Sequence, residues 1–481
     1  MRDDILETKL EKLKNIRKAE MEPYPERTER NVTNKEALDK FEDTRKGIIL
    51  SGRVKSFRPM GNACFVHIED GTGKIQLFLS KKNVGDEKYK LFVKNVEIGD
   101  FVEARGKLFK TKQDEKTLEV ADWKMLSKNI RPIPTEYFGL KDEESLLRKR
   151  YLDLMMNPET RELFRKKNIF WQTIRNFLAK EEFLEVRTPV LENIPGGAEA
   201  EPFVTHHKAL DRDFFLRISL ELALKRLLIG GYEKVFEIGR VFRNEGIDRE
   251  HLQEFDSMEF YAAYWDFRKG MDFSEKLFRE VAGSVTGKFK TEYEKHKIDW
   301  SREFIVLDYF SEFKRETGID LEKEITTEEL KKKAGELGIK YENQWGKGRM
   351  IDAIYKKTVR QKLIQPCFLM GHPIEVSPLA KRDPKNPKKV LRFQIVAGGS
   401  ELCNAFAELN DPIDQKNRFL EQMKAREAGD NEAQMMDEDF VEALEYGMPP
   451  AFGFGLSERF FAFLMNKSVR EIVIFPPMKE K

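Results

Sequence analysis

Between residue 47 and about residue 128, apolar side chains recur with a period close to two in five short runs. The runs are GIILSGRVKSF, ACFVHIED, KIQLFLS, DFVEARGKLFK and KTLEVADWKML. This alternation places the apolar side chains on one face of an extended segment, so it predicts five β-strands. Asp70 and Gly71, between the second and third runs, are typical of a tight hairpin turn.

One helix is predicted among these strands. The segment DEKYKLFVKNV, between the third and fourth runs, has apolar residues at helical spacing. Five strands with one helix in this position are typical of an OB-fold barrel, which binds oligonucleotides on the face of its second and third strands. We therefore predict such a barrel over residues 45–130.

The barrel divides the rest of the chain into three further regions. Apolar residues at helical spacing predict a helical extension over residues 1–44, and the sequence RPIP predicts a linker over residues 131–150. Residues 151–481 mix long helical segments with strand-like runs. Within them, a stretch rich in Lys and Glu at about 285–345 is predicted to be an insertion.

Composition excludes several classes of protein. The 86 basic residues nearly balance the 84 acidic ones, so any bound RNA must be held by local patches and not by the net charge of +2. Cys64, Cys367 and Cys403 lie far apart, which argues against a disulfide scaffold and a zinc or redox site. No run of about 18 apolar residues occurs and the first residues are acidic. A soluble, cytoplasmic protein is expected.

The segment 231–261 carries the first chemical pattern. Arg243 stands at the end of the strand-like run VFEIGRVFR, with Glu245, His251 and Phe255 after it. The planar guanidinium of arginine binds phosphate or carboxylate with two parallel hydrogen bonds, and a phenylalanine ring can stack on a base. For any one of these residues alone, an ordinary surface hairpin with ion pairs is the better interpretation.

Two further patterns lie nearer the C-terminus. Glu401, Asn404 and Glu408 stand in an otherwise apolar stretch, where buried carboxylates need a partner or a metal. The run AFGFGLSERFFAFLMN leads from glycine-rich backbone through Arg459 into an apolar helix, an arrangement that allows a ligand to approach closely. There is no P-loop, so any bound ATP must be held by another device.

Together these segments resemble the class II lysyl-tRNA synthetases over nearly the whole chain. FLEVRTPVL (183–191) is similar to motif 1 of that family, the segment around FRNEG (236–259) to motif 2, and the segment starting GFGLSER (453–466) to motif 3. Further similar segments are PGGAEAEPFVTHHKALD, LRISLELALKRLLIGGYEKVFEIGR, SELCNAFAELND, REIVIFPPM, PMGNACFVHIED, GKLFKTK and LRKRYLDL.

The resemblance implies an α+β protein in which an OB-fold barrel precedes an antiparallel-sheet catalytic domain flanked by helices. It also implies an ATP-dependent enzyme that attaches L-lysine to tRNA(Lys) through a lysyl-adenylate and releases AMP and pyrophosphate. Mg²⁺ is the expected cofactor. A homodimer is the expected assembly, with the segment 183–191 in its interface.

The resemblance also assigns site residues. Catalysis is expected from Arg243 and Arg459, and metal binding from Glu401 and Glu408. The expected ATP-binding residues are Arg243, Glu245, His251, Phe255, Glu401 and Arg459. The expected lysine-binding residues are Glu221, Arg243, Glu259, Tyr261, Asn404 and Glu408. The expected anticodon-binding residues are Arg58, Phe65 and Gln76, although a phenylalanine on a strand is also often a core residue.

The resemblance assigns the lysine-binding residues to different groups of the substrate. Glu221 and Glu259 match acids that bind the α-ammonium, and Asn404 matches a contact to the carboxylate. Glu408 and Tyr261 match the pair that receives the ε-ammonium. An acid is the right partner for a cationic side chain, so Glu408 favours lysine over the substrates of the aspartate and asparagine ligases of the same subclass.

The chain departs from the family's usual pattern at four places. Gln394 stands where a second metal-binding Glu is usual, Ser400 where an Arg is usual, and Glu201 where a basic residue is usual. Motif 3 is one residue shorter than usual. These departures leave the number of metal ions open.

Two other functions are compatible with the same scaffold. One is a paralogue that attaches lysine to a protein, but such relatives lack the barrel. The other is a non-catalytic RNA-binding protein, which is expected to lose Arg243, Glu401 or Arg459, and this chain has all three.

Overall fold

The computed structural model describes residues 2–41, 47–133, 142–246 and 248–479. The chain forms two compact units, Met1–Asp142 and Glu143–Lys481. Each is described by itself below.

The first unit is a closed five-stranded barrel with helices. The strand order is β1-β2-β3-β5-β4, in which β3 and β5 are parallel and the other neighbours antiparallel. The elements are α1 (Arg2–Lys18), α2 (Asn34–Asp39), β1 (Ile48–Met60), β2 (Ala63–Glu69), β3 (Lys74–Ser80), α3 (Lys81–Val84), α4 (Asp86–Asn95), β4 (Phe101–Lys110) and β5 (Lys116–Ser127). The five predicted strands and the helix between the third and fourth are confirmed.

Alternation along the strands fills the barrel. On β2, Cys64, Val66 and Ile68 are fully buried, whereas the residues between them are partly exposed. The turn after β2 is closed by Asp70, whose Oδ1 accepts hydrogen bonds from the backbone N–H groups of Thr72 and Gly73. This side chain fixes the pairing of β2 with β3, because the length of a hairpin turn sets the register of its strands.

The second unit is built on one large sheet. Its path is β14-β15-β18-β20-β21-β11-β10-β6, with β19 paired to β18, and only β14–β15 and β10–β6 are parallel. The elements are α5 (Glu143–Arg148), α6 (Arg150–Met156), α7 (Pro158–Lys180), β6 (Leu184–Glu185), β7 (Leu191–Glu192), β8 (Val204–His207), β9 (Arg212–Leu216), α8 (Glu221–Ile229), β10 (Lys234–Phe242), β11 (Glu254–Ala263), α9 (Phe267–Thr286), β12 (Lys290–Tyr293), β13 (His296–Asp299), β14 (Ile305–Asp308), α10 (Tyr309–Thr317), α11 (Thr327–Glu336), α12 (Lys347–Thr358), β15 (Cys367–Met370), β16 (Arg382–Asp383), β17 (Asn386–Val390), β18 (Arg392–Ala397), β19 (Ser400–Glu401), β20 (Asn404–Ala407), α13 (Pro412–Glu427), α14 (Glu438–Glu445), β21 (Ala451–Ser457) and α15 (Arg459–Leu464). The predicted α+β fold with an antiparallel-dominated sheet is confirmed.

The main core lies on one face of this sheet and is largely aromatic. Phe260 of β11 stacks on Phe454 of β21 with ring centroids 5.0 Å apart, and Phe278 of α9 lies 4.3 Å from Phe460 of α15. Aromatic side chains bury large apolar areas, so this layer anchors α7, α9 and α15 on the sheet. The opposite face of the same strands carries a second apolar cluster, formed with α8, α13 and α14, beside the polar residues of the site.

The predicted domain limits remain predictions. Residues 42–44 of the predicted extension and 134–141 of the predicted linker lie outside the described residues. Helix α5 falls within the predicted linker range 131–150. Strand β14 falls within the predicted insertion 285–345 and pairs with β15 in the large sheet.

The three cysteines are free and buried, as expected of a chain without a disulfide scaffold. Burial raises the pKa of the Cys64 and Cys367 thiols to about 12, so both are held in the unreactive thiol form. Each helix in the described part of the chain is too short or too polar to cross a bilayer.

Candidate active site

A cavity of about 670 Å³ opens on the face of the large sheet opposite the aromatic core. Strand alternation builds it. On β11, Met258, Phe260 and Ala262 belong to the core, whereas the alternate residues turn the other way. Those alternate residues, which line the cavity, are Phe255, Ser257, Glu259 and Tyr261.

The neighbouring strands complete the cavity wall. On β21, Gly453 pairs with Tyr261 and Gly455 pairs with Glu259. Asn404 of β20 pairs with Gly455 on its other side. The sheet register therefore brings together segments that are far apart in sequence, and eight of the expected site residues line one cavity. They are Glu221, Arg243, Phe255, Glu259, Tyr261, Glu401, Asn404 and Arg459.

Two arginines on the cavity wall have no carboxylate partner and one side-chain hydrogen bond each within the described residues. Arg243, just after β10, donates from Nε to the carbonyl oxygen of Ile218 at 3.2 Å, and its guanidinium lies 5.3 Å from the Phe255 ring. Arg459 donates from Nη1 to the carbonyl oxygen of Glu401 at 3.3 Å. Within the described residues neither forms an ion pair. Burial and the charge of Arg459 both lower the pKa of Arg243. Two unpaired guanidinium groups in one cavity are suited to an anion with several charges.

Glu259 is held by three hydrogen bonds. Its Oε1 accepts from Ser219 Oγ at 2.8 Å and from the backbone N–H of Leu220 at 3.0 Å. Its Oε2 accepts from the hydroxyl of Tyr261 at 2.9 Å. These donors fix the carboxylate at the cavity wall.

Glu221 and Glu408 are joined by a lysine that the sequence analysis did not single out. Lys225, one turn after Glu221 on α8, is fully buried. Its ammonium donates to Glu221 Oε1 at 2.5 Å and forms an ion pair with Glu408 Oε2. Burial raises the pKa of Glu221 to about 7 and the pKa of Glu408 well above its usual range. The signal that could have found Lys225 is its i, i+4 spacing from Glu221 on an apolar helix.

Glu408 lies directly behind Gly453. A methyl group at Gly453 would overlap Glu408 Oε1 and come 2.5 Å from Tyr261 Cε1. Gly453 and Tyr261 both line the cavity, so this oxygen sits at the cavity wall. Among the described residues, Glu408 Oε1 has no hydrogen-bond partner although it is buried. A buried carboxylate oxygen without a donor is costly, which points to a cation supplied from the cavity.

Glu401 lies in a different network. Its Oε2 accepts from Gln394 Nε2 at 3.0 Å, and its Oε1 is 3.5 Å from Arg360 Nη1. Gln394 Oε1 is in turn 3.1 Å from Nε2 of His372, whose pKa is lowered to about 3 by burial and whose ring is therefore neutral. The Gln394 amide thus positions Glu401, with its own oxygen already engaged.

Asn404 is oriented by Arg392, another cavity residue that the sequence analysis missed. Arg392 Nε donates to Asn404 Oδ1 at 2.7 Å, and Arg392 Nη1 donates to the carbonyl oxygen of Val376 at 2.6 Å. Because Asn404 Oδ1 is an acceptor here, its amide N–H₂ is the group that faces a ligand.

Two expected ATP residues lie in the loop after β10, away from the cavity lining. His251 Nδ1 is 2.7 Å from Asp248 Oδ2, and the backbone oxygen of Glu245 accepts from Gln253 at 2.9 Å. Ile247, in the same loop, lies outside the described residues. The roles of Glu245 and His251 stay predictions.

Residues 142–479 match the family model of "tRNA synthetases class II (D, K and N)". The chain belongs to the class II tRNA synthetases. Residues 48–126 match the model of the "OB-fold nucleic acid binding domain", which agrees with the barrel observed in the first unit.

Three relatives of this synthetase illustrate the likeness, and each is named lysine–tRNA ligase. The chain is 44% identical to that of Pelotomaculum thermopropionicum, 44% to that of Carboxydothermus hydrogenoformans and 40% to that of Bacillus subtilis. In each case the alignment covers all of this chain, together with 96%, 99% and 98% of the relative's length, respectively.

In the synthetase's barrel, the three expected anticodon residues share the outer face. Phe65 pairs with Arg58 on β1 and with Phe78 on β3, and the two phenylalanine rings lie 5.0 Å apart. Arg58 is exposed and both rings are partly exposed. Phe65 is therefore not a core residue, because the interior positions of β2 are the alternate ones.

Gln76 lies on the same face but is almost covered. Its Nε2 donates to Glu115 Oε2 at 2.6 Å, and its Oε1 accepts from Thr117 Oγ1 at 2.9 Å. His67, its cross-strand partner, lies 2.8 Å from Glu115 Oε1. Glu115, just before β5, and His67 of β2 were missed because neither stands out from the polar residues around it in the sequence.

Proposed function

We propose that this synthetase attaches L-lysine to tRNA, forming a lysyl-adenylate from ATP and then transferring the lysyl group to the tRNA. One juxtaposition carries the proposal. One cavity is lined by two guanidinium groups that form no ion pair within the described residues and by the carboxylates of Glu221 and Glu259, and the Glu408 carboxylate lies directly behind Gly453 of its wall. The first set suits phosphates and a carboxylate, and the second suits an amino acid with two ammonium groups.

In the activation step, a carboxylate oxygen of lysine attacks the α-phosphorus of ATP. The new bond joins this oxygen to phosphorus, and the bond from phosphorus to the bridging oxygen of pyrophosphate breaks. No base is required, since the attacking carboxylate is already ionised. Arg243 orients the two anions against each other and stabilises the charge that develops between them, so catalysis rests on positioning and electrostatics.

The other cavity residues divide between the two substrates. Phe255 stacks on the adenine, with the Arg243 guanidinium beside its ring. Arg459 binds the far end of the triphosphate. The Asn404 amide N–H₂ donates to the lysine carboxylate, oriented by Arg392. In the transfer step, a ribose hydroxyl of the tRNA attacks the lysyl carbonyl carbon and AMP leaves.

Pyrophosphate exchange with single amino acids tests the proposal. Exchange of labelled pyrophosphate into ATP should depend on lysine and remain near background with aspartate or asparagine, because the acidic inner end of the cavity repels a second carboxylate. Exchange driven by aspartate would favour the related aspartate ligase. No exchange with any amino acid, in a folded protein that binds tRNA, would favour a non-catalytic RNA-binding protein.

We also propose that Glu401 binds Mg²⁺. Mg²⁺ held by this carboxylate would offset the charge of the ATP phosphates. Glu401 Oε1 fits this role, since it is buried and accepts no hydrogen bond within the described residues, although it would be shared between the metal ion and the Arg360 guanidinium 3.5 Å away. No cluster of three or more metal ligands occurs among those residues. Glu408, the other expected metal ligand, gains no such support, because the Lys225 ammonium faces its Oε2.

A single tightly bound metal ion is the expected result of Gln394. A neutral amide is a poorer ligand for a hard cation than a carboxylate, and the oxygen of this one faces His372. Titration of Mn²⁺ against the enzyme with a non-hydrolysable ATP analogue, followed by electron paramagnetic resonance, should give one strong site. Gln394→Glu should strengthen a further site, whereas Gln394→Ala should not. Two equally strong sites in the unaltered enzyme would contradict this.

A homodimer through the segment 183–191 is the expected assembly. Strand β6 ends the large sheet, and the exposed apolar residues Leu184 and Val190 lie on this segment. Sedimentation velocity at micromolar concentration should give a dimer, and Val190→Glu should weaken it. The matched control is Ile305→Glu, which charges the exposed apolar strand at the opposite edge of the sheet. A monomeric unaltered enzyme would contradict the prediction.

The barrel is expected to bind the anticodon without taking part in activation. Phe65→Ala should weaken binding of any tRNA, because an aromatic ring can stack on any base. Such stacking typically contributes about 1–3 kcal/mol of binding free energy per base. Gln76→Ala should relax discrimination at the stacked base, because an amide matches only some base edges. Aminoacylation of native and anticodon-substituted tRNA should separate the two effects.

Two controls sharpen the barrel experiment. Lysine-dependent pyrophosphate exchange should be unchanged in both variants, since neither residue belongs to the unit that holds the cavity. Glu115→Gln removes the carboxylate that now accepts from Gln76, so it should alter base preference in the same assay. Loss of exchange in both variants, or unchanged charging in both, would exclude the assigned role.

A further inference from the structure

Lys225 is a fully buried cation behind the wall of the proposed lysine site. It stands on α8, and the aromatic rings of Phe406 and Phe440 lie 5.4 and 6.0 Å from its ammonium. A buried ammonium is strongly unfavourable unless it is paired. Here it is paired twice, with Glu221 Oε1 and Glu408 Oε2, which come from distant parts of the chain.

We propose that Lys225 is a specificity-determining residue of the lysine site, which fixes the charge and the position of the Glu221 and Glu408 carboxylates so that the site accepts two ammonium groups and rejects a neutral side chain. The proposal rests on the proposed function. It assigns Lys225 a positioning role, because the residue does not line the cavity and acts through the two carboxylates.

The charges at the inner end of the cavity support this role. In their ionised forms Glu221, Glu259 and Glu408 carry three negative charges; Lys225 offsets one of them, and Arg392 of β18 also faces Glu221. A lysine substrate brings two ammonium groups, and its carboxylate faces Arg243 and Asn404. Without Lys225 the same space would hold three negative charges, and one carboxylate would take up a proton, since like charges in a buried site cannot all ionise.

The arrangement also assigns one oxygen of Glu408 to each cation. Oε2 faces Lys225, and Oε1 lies behind Gly453 at the cavity wall, buried and without a hydrogen-bond partner within the described residues. Lys225 therefore holds Oε2 of the Glu408 carboxylate and leaves Oε1 for the ε-ammonium of the substrate. Without this anchor the carboxylate is free to rotate or to become protonated.

Protonation gives the role a measurable signature. The groups that face the Glu221–Lys225–Glu408 set are Glu259 and Tyr261 of β11 and Arg392 of β18. Burial raises the pKa of Glu221 to about 7. A raised carboxylate pKa means that the ionised form predominates above it, so lysine affinity should fall as the pH drops below about 7. Loss of Lys225 raises the pKa of both carboxylates further and moves this fall to higher pH.

The test compares Lys225→Met with the unaltered enzyme, using lysine and 6-hydroxynorleucine, in which a hydroxyl replaces the ε-ammonium. We expect Lys225→Met to reduce the preference for lysine by about tenfold or more at pH 7, since a charge-assisted hydrogen bond is roughly twice as strong as a neutral one. The preference should partly return at higher pH, and the KM for ATP should stay unchanged. Lys225→Arg keeps the charge and should keep the preference.

The matched control is Arg226→Met on the same helix. Arg226 pairs with Asp437 and Asp439, so its loss removes a charge from α8 without touching the substrate site. A purely structural role for Lys225 predicts equal weakening of both ligands, at every pH, in Lys225→Met. That result, or a preference within about twofold of the unaltered enzyme, would overturn the proposal.

Calorimetry of the unaltered enzyme provides a test that needs no variant to fold. Lysine binding in buffers of different ionisation enthalpy should release protons near pH 6 and release fewer near pH 8, about one unit to either side of the raised pKa of Glu221. Release of no protons at either pH would overturn the proposal. An unaltered enzyme that neither binds nor activates lysine would instead refute the proposed function.

Discussion

Replacing Arg243 with glutamine is expected to lower kcat for lysine-dependent pyrophosphate exchange by about 10²–10³-fold, the usual effect of removing one donor that stabilises developing charge. Arg243 contacts the carbonyl oxygen of Ile218 and the Phe255 ring, so its guanidinium is oriented before any substrate binds. Glutamine keeps a donor but loses the charge and the second parallel hydrogen bond.

The comparison that isolates this effect uses two further variants. Arg243→Lys keeps the charge without the planar fork, so its activity should lie between those of glutamine and the unaltered enzyme. Arg240→Gln, on β10 three residues before Arg243, removes an arginine that pairs with Glu254 and Asp256 and should leave exchange almost unchanged. Equal losses of exchange activity in Arg240→Gln and Arg243→Gln would mean that the loss comes from a disturbed β10 and not from the missing Arg243 guanidinium.

Much of this site was accessible from the sequence because strands repeat with a period of two. Phe255, Glu259 and Tyr261 stand at alternate positions of one strand, so one side of β11 carries all three. In the same way, Phe65 and Gln76 fall on the outer face of the barrel, because the interior positions of β2 and β3 are the residues on either side of each of them. Local periodicity decides such questions before any tertiary contact is known.

The pairings inside the site were not accessible in the same way. The resemblance grouped Glu408 with Tyr261, whereas the structure pairs Tyr261 with Glu259 and Glu408 with Lys225. The Lys225–Glu408 contact depends on where α8 lies relative to the end of β20, and no local sequence pattern predicts that placement. The three carboxylates are also close enough to interact, so either grouping is compatible with the same sequence.

The hydrogen-bond partners of buried side-chain amides could not be predicted from the sequence either. Gln76 and Gln394 were each considered for their contact to a ligand, yet Glu115 and Thr117 engage the first amide, and Glu401 and His372 engage the second. A buried amide needs partners whether or not a ligand is present, and those partners come from other strands. The sequence shows the amide but not which groups compete for it.

Changing Glu408 to glutamine is expected to raise the KM for lysine by about 30- to 1,000-fold, which corresponds to the roughly 2–4 kcal/mol lost when one partner of a buried charge pair is removed. Glutamine keeps the size of the side chain, so the core around β20 should stay intact. The substituted amide can no longer balance both the Lys225 ammonium and the ε-ammonium of the substrate. The KM for ATP should change little, because Arg243 and Arg459 are untouched.

Gly453→Ala tests the position of the Glu408 carboxylate from the neighbouring strand β21. Its methyl group would overlap Glu408 Oε1 and press on Tyr261, so Glu408 must move away from the cavity wall. Overpacking of this kind usually costs about 1–3 kcal/mol, and the KM for lysine should rise accordingly. Gly346→Ala is the matched control, since Gly346 lines the same cavity and has open space around an added methyl group. Unchanged lysine activation in Glu408→Gln would exclude Glu408 as the acid that selects lysine, whatever the result at Gly453.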